Sequence, residues 1–120
     1  MNHEDLAKLC IDCAEALAPQ YGDTLPATVR AELWGGTHSG TPRHMNEMLS
    51  HSVDIAGLVI SMVSLAVTLM DRKGQSGPVA IGAVEQAIDG EIEDLGDLQK
   101  EPARKLKREI CEWLQSRASA

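Results

Sequence analysis

Two histidines and two carboxylates fall at a spacing that could place them on one side of a helix. They are His44, Glu47, His51 and Asp54, separated by three, four and three positions. Residues with this spacing are neighbours on a helix surface, so the four side chains could bind a metal ion or act as acid and base. A small metal-dependent helical enzyme is therefore one hypothesis. The alternative is that the four residues form the ordinary solvent-exposed polar side of an amphipathic helix, with no chemical role.

The sequence also contains a Cys-x-x-Cys pair, Cys10 and Cys13, which is a spacing found in zinc and thiol-redox sites. No second pair of this form is present, and both thiols share a helical stripe with Leu6, Leu9 and Leu17. Cysteine on such a stripe behaves as a small buried hydrophobe. We therefore expect two buried thiols, no bound metal or cofactor, and no enzymatic activity.

Charge is unevenly distributed along the chain. The formal net charge is -7, which makes binding to a nucleic-acid backbone unfavourable. Residues 100–120 are nevertheless basic, and they include the candidate binding residues Arg104, Lys105 and Arg108. These cations could hold the last helix against the acidic segment before it, or they could meet an acidic partner with Trp113 as an anchor.

The elements that position these residues are predicted to be helices. The chain has 120 residues and no Phe, so its core must come from aliphatic side chains that pack well between helices. We expect one domain over residues 1–120, an all-α compact bundle of four or five helices around a long central helix at about 42–73. The other helices are expected at 3–18, at 25–34, from Pro78 with a possible break near Asp89 and Gly90, and from Pro102.

The central helix contains a stretch, residues 55–70, that has no charged residue. It is shorter than the roughly 20 residues of a membrane span, so a soluble helix is the expectation and a membrane-active helix the alternative. Four small residues recur on one side of this helix: Gly57, Ser61, Ser64 and Thr68. Small side chains let two helices approach closely, so this small-residue stripe is the predicted seam of a homo-oligomer.

Taken together, these patterns favour a binding protein over an enzyme. The N-terminus lacks a signal-peptide pattern, and three cysteines are an odd number for a disulfide framework, so a cytoplasmic protein is expected. We expect a small acidic protein-interaction module of bacterial type: an adaptor, an assembly subunit, or an inhibitor or immunity-type protein that acts on a protein partner. Binding to nucleic acid or to a membrane is not expected.

Overall fold

A computed structural model describes residues 2–34 and 55–118 of the chain as five α-helices. These are α1 (His3–Tyr21), α2 (Leu25–Trp34), α3 (Ile55–Arg72), α4 (Gly77–Ile92) and α5 (Asp97–Ala118). No strand occurs within these two ranges, and the helices pack into a compact bundle. The predicted all-α bundle is therefore confirmed.

Helix α3 lies at the centre of the bundle and contacts each of the other four helices. One side of α3 is buried and consists of Ala56, Val59, Met62, Val63, Ala66 and Val67. The structure thus bears out the predicted central helix over Ile55–Arg72. The predicted part of that helix at 42–54 lies outside the described residues.

Among the described helices, α3 alone is long and apolar enough to cross a membrane, with a mean hydropathy of 1.6. One third of its residues are buried inside the bundle. Because a core helix of a soluble protein has the same composition, this property is weak evidence for a membrane span. Several other apolar residues of α3 are only partly buried: Leu58, Ile60, Leu65 and Leu69.

The first helix begins at the expected residue, His3, and ends later than expected. The Asn2 side-chain oxygen accepts a hydrogen bond from the Asp5 backbone N–H at 2.8 Å, which satisfies one N-terminal donor. The expected end at residue 18 is too early, because α1 continues through Pro19 to Tyr21. Proline adopts helical φ, and in the last turn its cost is one missing N–H donor. Gly22, at φ 114°, terminates α1 in a conformation that favours glycine.

One other predicted boundary is wrong, and a break that the sequence left possible is absent from α4. Helix α4 runs unbroken through Gly90 to Ile92, because a glycine within a helix lowers stability without forcing a break. Helix α5 begins at Asp97, so Pro102 lies inside it rather than at its start. The packed residues Ala103, Leu106 and Ile110 that follow Pro102 are fully buried, and this packing holds the helix together across the proline.

The contribution of the buried side of α3 to stability can be tested at Met62, because the Met62 side chain is fully buried among the other helices. We expect Met62→Ala to lower the free energy of unfolding by about 2–5 kcal/mol through a core cavity. Leu98→Ala is the control, since Leu98 is 92% exposed and its truncation should change stability by less than about 0.5 kcal/mol. Urea unfolding followed by circular dichroism measures both, and equal losses would contradict the assigned core.

Candidate functional site

The candidate metal site at His44, Glu47, His51 and Asp54 lies outside the described residues. Within residues 2–34 and 55–118, no group of three or more His, Cys, Asp or Glu side chains is placed to hold a metal ion. The metal-dependent enzyme therefore remains an untested hypothesis.

The thiols of Cys10 and Cys13 are both fully buried, as the stripe of α1 predicts. Burial raises the pKa of Cys10 to about 11, although a hydrogen bond with Ser64 of α3 opposes that shift. Burial raises the pKa of Cys13 to about 12, and the neighbouring charge of Cys10 adds to the shift. Since the thiolate is the reactive form, both cysteines are held in the unreactive protonated form at neutral pH.

The small-residue stripe of α3 is divided between solvent and the protein interior. Ser61 and Thr68 are exposed, whereas Gly57 and Ser64 are half-buried. The Thr68 hydroxyl donates to the Ser64 backbone carbonyl at 2.9 Å, and the Ser64 side chain hydrogen-bonds with Cys10. Because Ser64 contacts α1 of the same chain, the stripe is not wholly available to a second molecule, and the seam stays a prediction.

Basic side chains of α5 form ion pairs with the acidic segment that precedes them. The Arg104 guanidinium lies 3.4 Å from a Glu93 carboxylate oxygen, and the Lys100 ammonium lies 3.8 Å from the other Glu93 oxygen. Lys107 lies 2.6 Å from an Asp89 oxygen and 3.5 Å from a Glu85 oxygen. The last helix is therefore held against the acidic segment, which is the first of the two predicted roles for these cations.

Lys107 is the least exposed of these cations, with 12% of its side chain accessible, against about half for both Asp89 and Glu85. Burial lowers the pKa of the Lys107 ammonium, but the hydrogen bond with Asp89 and the charges of Asp89 and Glu85 outweigh burial and raise it. Lys107 therefore stays charged and clamps α4 to α5.

The other residues predicted for partner contact differ in their surroundings. Lys105 and Arg108 are exposed, on a side of α5 that also carries Glu101 and Glu112. Trp113 is half-buried against the core, and the Arg117 guanidinium lies 5.1 Å from the centre of its ring. Arg117 covers one face of the ring, and contact of the half-buried Trp113 with a partner stays a prediction.

The solvent side of α4 is a surface that the sequence analysis missed. We call it the uncharged face of α4, and it consists of Val79, Gly82, Ala83, Gln86, Ala87 and Gly90. Ala83 is half-buried, and the other five residues are exposed, including 57% of Val79. The sequence does contain uncharged residues at steps of three and one in this helix, but the sequence analysis considered Gly90 only as a possible break.

A groove of about 430 Å³ lies between α1 and α2. It is lined by Ile11, Glu15, Asp23, Pro26, Ala27, Arg30 and Ala31. Its three charged side chains, Glu15, Asp23 and Arg30, are all exposed, so the groove is an open surface depression.

Comparisons of this chain with protein-family models, with curated proteins and with solved structures find no match. The geometry of the described residues is therefore the basis for the function proposed below.

The ion pair between Lys107 and Asp89 can be measured by a double-mutant cycle with Lys107→Met and Asp89→Asn. We expect a coupling of about 1 kcal/mol, because Asp89 is half exposed and solvent screens part of the attraction. The control cycle replaces Lys107→Met with Lys105→Met, since Lys105 is exposed on another side of α5. Chemical unfolding at pH 7 measures both cycles. Equal coupling in the two cycles would contradict the clamp.

The buried thiols predict how stability changes at alkaline pH. Cys10 and Cys13 have folded pKa values of about 11 and about 12, above the ordinary value of 9.0. The contribution of these two protonated thiols to the free energy of unfolding is therefore complete below pH 9.0. It is lost as the pH rises toward the folded pKa values, because the same thiols ionise at lower pH in the unfolded chain. Cys10→Ala/Cys13→Ala should reduce the free energy of unfolding by about 1–3 kcal/mol at neutral pH through lost packing.

The free energies of unfolding of the wild-type chain and of this double variant should become more similar above pH 9.0. Cys111, Tyr21 and Lys107 are unchanged in the variant, so their alkaline titration affects both proteins alike. Urea unfolding at a series of pH values up to 11 measures the difference. Parallel stability curves across that range would show that the two thiols do not titrate as buried groups.

Proposed function

We propose that this chain is a small acidic protein-interaction module that acts by binding a protein partner, without catalysis. Its role would be that of an adaptor, an assembly subunit, or an inhibitor or immunity-type protein. The observation that carries the proposal is the uncharged face of α4, which presents six residues without an ionisable group. The proposed setting is the cytoplasm, where a reducing environment keeps thiols such as the three buried cysteines reduced.

The uncharged face of α4 differs from the solvent side of α5, the helix packed beside it. Charged residues make up 24% of the chain, and the solvent side of α5 carries one in each turn, at Glu101, Lys105, Arg108 and Glu112. A surface helix normally places charged residues toward water. Depletion of charged residues is the feature that distinguishes the core of a protein interface from the rest of a surface. This contrast supports binding through α4.

Several chemically active groups of the described residues have roles within the bundle. Cys10 and Cys13 are buried with raised pKa values, and Lys107 and Arg104 pair with carboxylates of the α4 segment. These interactions explain the positions of the groups through stability alone. The net charge of -7 further supports a protein partner over a nucleic acid.

Ala87→Glu tests the proposed interface, because Ala87 is exposed in the middle of the uncharged face and glutamate is a good helix former. Tagged full-length chain is incubated with lysate of its native host, and the retained proteins are quantified by mass spectrometry. We expect Ala87→Glu to retain at least about tenfold less of a specific protein than the wild type, since a charge would be buried at the interface.

Gln115→Glu is the matched control, because it adds the same charge at an exposed position of α5. It should retain the same proteins as the wild-type chain. Circular dichroism must show the same helix content for all three proteins. Equal retention by wild type, Ala87→Glu and Gln115→Glu would reject α4 as the binding surface.

A further inference from the structure

We draw no further inference here: the strongest candidate, the open groove between α1 and α2, carries exposed side chains of both charge signs at Glu15, Asp23 and Arg30, and nothing in the structure shows what covers it.

Discussion

The bundle depends on the burial of one side of α3 against four other helices. This side is made of alanine, valine and methionine, and no polar side chain is buried with it in the described residues. Because the chain has no Phe, the helices must pack closely to exclude water with these short side chains. Close packing also explains why Cys10 and Cys13 lie in the core, where a thiol fills the space of a small apolar group.

Apolar packing sets the rotation of α4, because its buried residues, among them Ile81, Val84 and Ile88, lie on one side of the helix. The Lys107 clamp forms in that same rotation. Glu85 and Asp89 must both point toward α5, while Ile81 and Ile88 point into the core. With these two directions set, the helical repeat turns Val79, Gln86 and their neighbours toward solvent. Burial of the apolar side thus determines which residues form the uncharged face, and the ion pairs add to the contact between α4 and α5.

The spacing of apolar residues was sufficient to predict the helical class, the central helix and the burial of both thiols in α1. It failed at Pro19 and Pro102, because a proline removes one donor while neighbouring buried residues maintain the helix. It also missed the uncharged face of α4. The glycines of α4 suggested a weak helix in isolation, and their position on one solvent side became evident only once the contacts with α3 and α5 were known.

The composition of the uncharged face suits an interface that forms and separates readily. Gly82, Gly90 and the two alanines present little apolar area to water, so the separated protein has no large hydrophobic patch to promote aggregation. In the binding that we propose, the same small residues would allow a partner helix to come near, and Val79 would provide the main apolar contact. The affinity would then depend on close approach of the two backbones more than on the apolar area that α4 itself presents.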